Sequence, residues 1–209
     1  MDHYFTNEKV KSNVKSHNII IRNKSFKFLT DHGVFSKKGL DFGSRLLIEI
    51  LVENEYENLL DLGCGYGPIG IILKHFNHKA NIQMLDINER AIKLAKENAK
   101  INNVNVKIYK SDGFDKVKDK FDIIVTNPPI RAGKKVIYSF FESAIDYLEK
   151  NGKLYIVINK KHGAASAFKK CQEIYSQVEI IKKKSGYSII RCGKWLTDLY
   201  NCDKIIKCV

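Results

Sequence analysis

A run of glycines where a predicted strand meets a predicted helix points most directly to a ligand. Residues 61–70 read DLGCGYGPIG, after the apolar strand Asn58–Leu62 and at the start of the helix Pro68–Phe76. Glycine lets the backbone approach a bound group closely, and a helix N-terminus presents free N–H groups to it. The predicted ligand contacts on this loop are Gly63, Cys64, Gly65 and Gly67.

Two acidic residues at strand ends indicate which ligand the loop holds. The spacing Gly65, Gly67, Gly70 also matches the fingerprint of dinucleotide-binding loops. Asp61 ends the preceding strand, and a carboxylate there would repel a pyrophosphate but suits the ammonium and sulfonium of S-adenosylmethionine. Asp86 ends the next strand, where it can accept hydrogen bonds from both ribose hydroxyls. The pattern favours S-adenosylmethionine over a dinucleotide or a glycine turn without a ligand.

Further predicted contacts follow the strands at the same edge of the sheet. Ile87 comes directly after Asp86, and Asp112 and Gly113 follow a predicted strand at 104–109. Ligands of open α/β sheets bind along the carboxyl edge, where Asp112 can accept a hydrogen bond from an adenine amino group. An ordinary Asx turn is the alternative at Asp112. No His, Cys or carboxylate cluster has metal-ligand spacing, so no metal site is predicted.

The strand Phe121–Thr126 ends in Asn127-Pro128-Pro129, a motif that can hold a planar amine. The prolines remove two N–H donors, so nearby carbonyl groups stay free to accept, and Asn127 adds a side-chain oxygen. Acceptors that converge on one amino group can aim its lone pair at an electrophilic methyl group. Catalysis would then depend on positioning and electrostatics rather than on a strong base. The alternative is a stiff turn that only ends the strand.

The elements that must position these residues alternate between strands and helices. Apolar runs predict strands at 58–62, 82–85, 104–109, 121–126 and 154–158, and helices at 68–76, 88–102, 135–149 and 164–174. Short connections between such elements indicate an α/β fold with a parallel sheet covered on both faces. Two last strands, at 178–181 and 187–191, predict a closing hairpin with an antiparallel edge strand.

The N-terminal quarter precedes this alternation. It comprises a basic arm (1–15), a β-hairpin near 18–29 and a helix at 44–52. We predict that these elements form an extension over 1–55 that packs on a cofactor-binding domain over 56–209. With 209 residues the two parts amount to one domain.

Composition limits the cellular setting and the partners. The net charge of +13 favours a polyanion such as nucleic acid, although 31 of the 36 basic residues are Lys, a bias that base composition also produces. The five cysteines are odd in number and form no CxxC pair, which predicts reduced thiols and a cytoplasmic location. No apolar run approaches the ~20 residues of a membrane span, so no membrane partner is expected.

Taken together, DLGCGYGPIG, LDIN, SDGFD and NPPIRAG resemble the motifs of class I S-adenosylmethionine-dependent methyltransferases. The segment 33–47 and NPPIRAGK narrow the resemblance to small-domain ribosomal RNA guanine-N2 methyltransferases (RsmC-like), over about residues 17–192. The resemblance implies a Rossmann-like fold with a seven-stranded, mostly parallel sheet that contains one antiparallel strand. It also implies methyl transfer to an amino nitrogen of ribosomal RNA, free or in the small subunit.

The resemblance implies a role for each matching residue. The glycines Gly63, Gly65 and Gly67 would line the methionine half of the cofactor, with Asp61 near its ammonium group. Asp86 would hold the ribose and Asp112 the adenine. The side chain of Asn127 and the carbonyl of Pro128, stiffened by Pro129, would hold the target amine. The loop 35–44 would close over the cofactor, and the predicted substrate contacts are Phe35, Ile130, Arg131 and Lys134.

Other functions fit parts of the pattern. Many amino methyltransferases carry an aromatic residue after Asn-Pro-Pro, where this chain has Ile130. That departure favours guanine over adenine N6 or a protein glutamine amide, the alternative substrates of such a site. A nucleotide-dependent oxidoreductase would use a similar glycine loop, and a non-enzymatic RNA-binding module would keep only the fold. Oligomeric state has no signal in the sequence.

Overall fold

The computed structural model describes residues 11–34, 36 and 39–193. Phe35, Lys9 of the predicted basic arm and the tail 194–209 lie outside the described residues.

The N-terminal hairpin forms as the alternating apolar residues predict. Strands β1 (Lys15–Ile21) and β2 (Lys24–Thr30) pair antiparallel as a separate two-stranded sheet. The connecting residues Arg22 and Asn23 have φ of 45° and 61°, the left-handed conformation that a two-residue hairpin turn requires. The apolar side chains of one face enter the core.

A seven-stranded sheet forms the centre of the fold. Its strands are β3 (Asn58–Leu62), β4 (Asn81–Asp86), β5 (Lys107–Lys110), β6 (Phe121–Thr126), β7 (Leu148–Asn159), β8 (Gln177–Lys184) and β9 (Tyr187–Gly193). They lie in the order β5-β4-β3-β6-β7-β9-β8. All run parallel except β9, which pairs antiparallel with both β7 and β8. The predicted α/β sheet with one antiparallel strand is therefore confirmed.

Five helices cover the two faces of the sheet. Helices α1 (Phe42–Leu51), α2 (Pro68–Phe76) and α3 (Glu89–Ile101) pack on one face with the hairpin, in one apolar cluster. Helices α4 (Lys134–Ala144) and α5 (Ala164–Ile174) pack on the other face. Asp41 and Asn88 cap α1 and α3 by accepting from backbone N–H groups of the first turn. None of the described helices is both long and apolar enough to span a membrane.

Asn98 on α3 joins the hairpin to the glycine loop. Its fully buried amide accepts from the Leu29 N–H at 2.7 Å and donates to the Leu29 carbonyl and to the Tyr66 carbonyl, both at 2.9 Å. Asn102, one turn later, makes the same pair of bonds to the backbone of Lys27. The extension is thus bonded to the cofactor-binding part, and the boundary at 55/56 remains a prediction.

Four predicted elements were placed wrongly. The antiparallel strand is not at the edge, because β9 inserts between β7 and β8 and leaves β8 at the edge. Strand β5 begins at 107 rather than 104. Helix α4 ends at 144 rather than 149, and β7 begins at 148 rather than 154, so that Gly152 lies inside β7, where the register with β6 shifts. A Cβ at Gly152 would lie 2.6 Å from the Phe121 carbonyl oxygen, so this irregular pairing requires glycine.

Candidate active site

A cavity opens at the carboxyl edge of the sheet, where β3, β4, β5 and β6 end. It brings together nine of the residues predicted from the sequence: Gly63, Cys64, Gly65, Asp86, Ile87, Asp112, Gly113, Asn127 and Pro129. It also includes residues that the sequence reasoning did not single out as contacts, chiefly Asp41, Ser44, Tyr66, Ser111, Val136 and Phe140. Its carboxylates, on Asp41, Asp86 and Asp112, suit a ligand with positive charge.

The glycine loop divides into a ligand-facing part and a packing part. Gly63 and Gly65 have φ of +73° and +58°, and a Cβ on either would meet no atom within 4 Å. These two glycines therefore leave space open for a ligand. Gly67 is different, because a Cβ there would lie 2.7 Å from the Met84 Cε. Gly67, which is not among the residues that line the cavity, allows the loop to pack closely on β4.

Asp86 is held in place by the backbone around it. One carboxylate oxygen accepts from the Gly65 N–H at 2.9 Å, and the other accepts from the Asn88 N–H at 2.8 Å. Burial raises the pKa of Asp86, and these backbone hydrogen bonds oppose the increase. Each carboxylate oxygen can accept more than one hydrogen bond, so both keep capacity for ribose hydroxyls in the cavity.

Asp61 lies behind the glycine loop rather than on the cavity wall. The residue is 1% exposed, and its Oδ2 accepts from the Gly70 N–H at 3.0 Å. Its Oδ1 is buried without a hydrogen-bond partner in the described structure. Burial raises the pKa of Asp61 to about 7, with a contribution from the charge of Asp86. Asp61 is not among the residues that line the cavity and bonds the first turn of α2, and its place near the ammonium group of the cofactor stays a prediction.

The orientation of Asn127 is set by two residues at the start of α1. Its Nδ2 donates to the Ser44 Oγ at 2.9 Å and lies 3.3 Å from each carboxylate oxygen of Asp41. An ionised carboxylate only accepts, so the amide nitrogen and not the oxygen must face Asp41. The Asn127 Oδ1 makes no hydrogen bond to the described residues and is free to accept from a ligand. We call Asp41 and Ser44 the amide clamp.

Tyr66 adds a buried hydroxyl to the cavity wall. The residue is 2% exposed, and its hydroxyl has no hydrogen-bond partner in the part of the chain that the structure describes. Burial, together with the nearby charge of Asp41, raises the pKa of Tyr66, so the phenol keeps its proton. Apart from its place in the glycine loop, no local pattern in the sequence indicates this buried hydroxyl.

The predicted substrate contacts beyond Pro129 lie outside the cavity lining. Ile130 is half-buried in a short 3-10 turn, and Arg131 and Lys134 are exposed before and at the start of α4. Pro128 is also not among the lining residues. Within the described ranges no group of three His, Cys, Asp or Glu side chains could hold a metal ion.

The fold and the site together define a class of protein. A Rossmann-like sheet with one antiparallel strand, an open glycine cradle and an acidic cavity fit a cationic nucleoside cofactor. The sequence model of the methyltransferase small domain family matches residues 25–191. The chain belongs to this family and is an S-adenosylmethionine-dependent methyltransferase.

Individual relatives cover the chain to different extents. The Bacillus subtilis (strain 168) protein named "Uncharacterized protein YbxB" is 50% identical over 198 residues, 92% of this chain and 98% of its own length. Ribosomal RNA small subunit methyltransferase C of Hahella chejuensis is 39% identical over 132 residues, 61% of this chain. This chain spans 39% of that relative, and 52% of its namesake in Psychromonas ingrahamii.

A solved structure has the same fold. It is the T. thermophilus 16S rRNA N2 G1207 methyltransferase (RsmC) in complex with AdoMet and guanosine. The TM-score is 0.79 at 24% identity, and the match covers 89% of this chain and 52% of that one.

Proposed function

We propose that this enzyme transfers a methyl group to the exocyclic N2 amine of a guanine in RNA, in particular small-subunit ribosomal RNA. The observation that carries the proposal is the fixed amide of Asn127, whose free oxygen faces a cavity for S-adenosylmethionine. The names of the ribosomal RNA methyltransferases to which the chain is similar support this substrate class. The charge of +13 is consistent with an RNA partner.

In the proposed mechanism the chain positions an amine and leaves the chemistry to the cofactor. The bound cofactor supplies the electrophilic methyl group. Asn127 Oδ1 and the carbonyl of Pro128 accept the two N–H bonds of the planar amine, which directs its lone pair toward that methyl group. An N–CH3 bond would form as the S–CH3 bond breaks and leaves its electron pair on the sulfur, and the nitrogen would become cationic. Its proton would then be acidic enough to pass to solvent water without a strong base.

The cofactor contacts follow from the cavity. Gly63 and Gly65 leave space for the methionine half, Asp86 would bind the ribose, and Asp112 would bind the adenine. Asp61 would act through the loop that it bonds to α2. Cys64, Ile87 and Gly113 would contact the cofactor by packing, since all three line the cavity.

Guanine is preferred to the other planar amines because of the residue that follows the two prolines. The residue after the prolines is Ile130, which offers apolar contact in place of the aromatic stack common at adenine-directed sites. Guanine N2 lies on the Watson–Crick edge, so the substrate must be an unpaired or flipped base. Arg131 and Lys134, exposed beside the motif, would contact phosphates of the same RNA. A cytoplasmic location is part of this proposal.

The alternative is methyl transfer to adenine N6 or to a protein glutamine amide. The Asn-Pro-Pro geometry alone accepts any planar amine. The test is transfer of labelled methyl from S-adenosylmethionine to ribosomal RNA, bare and in small subunits, with nucleoside analysis of the product. N2-methylguanosine is expected. N6-methyladenosine, or label in protein with none in RNA, would contradict the proposal.

The variant Asn127→Ala separates catalysis from cofactor binding. Loss of one fixed group that contacts the reacting centre typically lowers turnover by about 10²–10³-fold. We expect a loss of this order in turnover with little change in S-adenosylmethionine affinity. Equal losses in both quantities would refute the proposed role.

A further inference from the structure

A basic groove lies beside the active site and is not used by the proposed transfer reaction. It runs between α5 and the β8–β9 hairpin and has a volume of about 580 Å³. Three lysines, Lys160, Lys183 and Lys184, stand around a floor that includes Phe168 and Ile180. We call this feature the lysine groove.

The lysines of the groove are exposed and available to a partner. Among the described residues, none of the three takes part in an ion pair. No Asp or Glu occurs in the segments 150–172 and 180–193, which supply every residue of the groove lining. The groove therefore concentrates positive charge without nearby compensation, and this attracts a polyanion.

The groove is at the same edge of the sheet as Asn127. Strand β8 runs parallel to β6, so Lys183 and Lys184 lie at its carboxyl end, and the Lys160 N–H donates to the Gly186 carbonyl at 2.7 Å. Strands β6 and β8 are three positions apart, a separation of ~14 Å at the usual ~4.8 Å between strands. A short run of nucleotides can cover that distance.

Tyr187 connects the groove to the active-site cavity. Its ring lines the groove and lies 5.8 Å from the ring of Phe42, measured between centroids. A Cβ on Gly43 would lie 2.7 Å from that ring, so Tyr187 packs directly on the turn between Asp41 and Ser44 of the amide clamp. One turn of backbone separates the groove from the residues that orient Asn127.

Charge explains why an RNA substrate would need the lysine groove as well as the active-site cavity. The cavity contains the carboxylates of Asp41, Asp86 and Asp112, which favour a cationic cofactor and repel phosphate. The phosphates that flank a base inserted there must follow a surface of opposite charge. We propose that the lysine groove binds the sugar–phosphate backbone of the RNA strand next to the target guanine. This inference rests on the proposed RNA substrate.

The test compares two triple variants with equal changes of charge. One replaces the groove lysines (Lys160→Gln, Lys183→Gln and Lys184→Gln). The control replaces three exposed lysines without ion pairs in or near α3 and the α2–β4 loop (Lys79→Gln, Lys96→Gln and Lys100→Gln). Binding of a fluorescent single-stranded RNA of about 12 nucleotides, within the usual site size, is measured over a range of salt concentrations.

We expect the groove variant to bind RNA about tenfold or more weakly, and the control variant to remain near wild type. Because each phosphate contact on a single strand contributes about 0.7 to the salt slope, three lost contacts should reduce the slope by about 2. Affinity for S-adenosylmethionine should not change. Equal effects of the two triple variants would overturn the inference, as would a wild-type chain without RNA affinity. Displacement of the RNA by an equal concentration of acidic peptide would also overturn it.

Methyl-transfer assays on the same proteins distinguish this inference from the proposed function. A wild-type chain that binds RNA through the groove and methylates no guanine would support the groove and refute the reaction. A chain that methylates guanine with both triple variants equally active and equally tight in binding would support the reaction and refute the groove.

Discussion

The amide clamp leads to a quantitative prediction for Asp41→Asn. This change keeps the size of the side chain and its ability to cap α1, because Asn and Asp are about equally good N-cap residues. It removes the negative charge. Whereas an ionised carboxylate can only accept hydrogen bonds, the new amide can present either its oxygen or its nitrogen to Asn127. The Asn127 amide is then no longer forced to turn its oxygen toward the substrate.

The magnitude follows from the contacts. A hydrogen bond to a charged group contributes about 1.5–3 kcal/mol and one between neutral groups about 0.5–1.5 kcal/mol, a difference of about 1–1.5 kcal/mol. The Asn127 Nδ2 lies 3.3 Å from both Asp41 oxygens, so the lower part of this range applies. At about 1.4 kcal/mol per factor of ten, a loss of about 1 kcal/mol should lower turnover about fivefold.

The assay is kcat for RNA methylation at saturating S-adenosylmethionine and RNA. Saturation is needed because Asp41 also lines the cavity, and loss of its charge weakens binding of a cationic cofactor. The thermal midpoint of the apoprotein controls for the cap and should change little. In the Asn127→Ala background, Asp41→Asn should have no further effect on kcat. A kcat within twofold of wild type, or an undiminished effect in that background, would refute the clamp.

Further predictions concern the cofactor site and its supports. Asp86→Ala should weaken S-adenosylmethionine binding through the ribose, and unchanged affinity in calorimetry would contradict that contact. Gly65→Ala should lower cofactor affinity because its Cβ would enter the cavity. Gly67→Ala should mainly lower the thermal midpoint because its Cβ would lie 2.7 Å from Met84. The reverse pattern would contradict the division of the glycine loop into a ligand-facing part and a packing part. Burial raises the pKa of Asp61 to about 7 from 3.8, so its contribution to folding is complete below about pH 3.8 and is lost as the pH rises through 7. Asp61→Asn should therefore stabilise the apoprotein at pH 8 by up to ~4 kcal/mol and have little effect at pH 4. An equal effect on urea unfolding at both pH values would contradict the burial of an ionisable carboxyl group at this position.

Local signals in the sequence were sufficient for most of the sheet and for the cofactor loop. The strands Asn58–Leu62 and Phe121–Thr126 and the helices Pro68–Phe76 and Ala164–Ile174 have the predicted limits, because Gly, Pro and polar residues mark their ends. Consecutive parallel strands bring their carboxyl ends to one edge of the sheet. The meeting of the residues that follow these strands could therefore be predicted without knowledge of distant contacts.

Other features depend on contacts that local patterns do not encode. Asp41 and Asn127 are 86 residues apart, and the DFGS sequence at 41–44 predicts only a helix cap. The hairpin of β8 and β9 could pair with β7 through either of its strands. The local sequence does not determine that β9, rather than β8, lies next to β7. The hydrogen bond from the Gly70 N–H to Asp61, nine residues apart, was likewise not predicted from the sequence.

We expect the N-terminal extension to contribute to catalysis through Asp41, a residue that also caps a helix. The Asp41 carboxylate accepts from the N–H groups of Gly43 and Ser44, which starts α1, and it faces the Asn127 amide on β6. The orientation of the Asn127 amide depends on its contacts with Asp41 and Ser44 at the start of α1. We therefore expect the part of the chain before residue 55 to complete the active site, because it supplies the two residues that hold the amide proposed to contact the target amine.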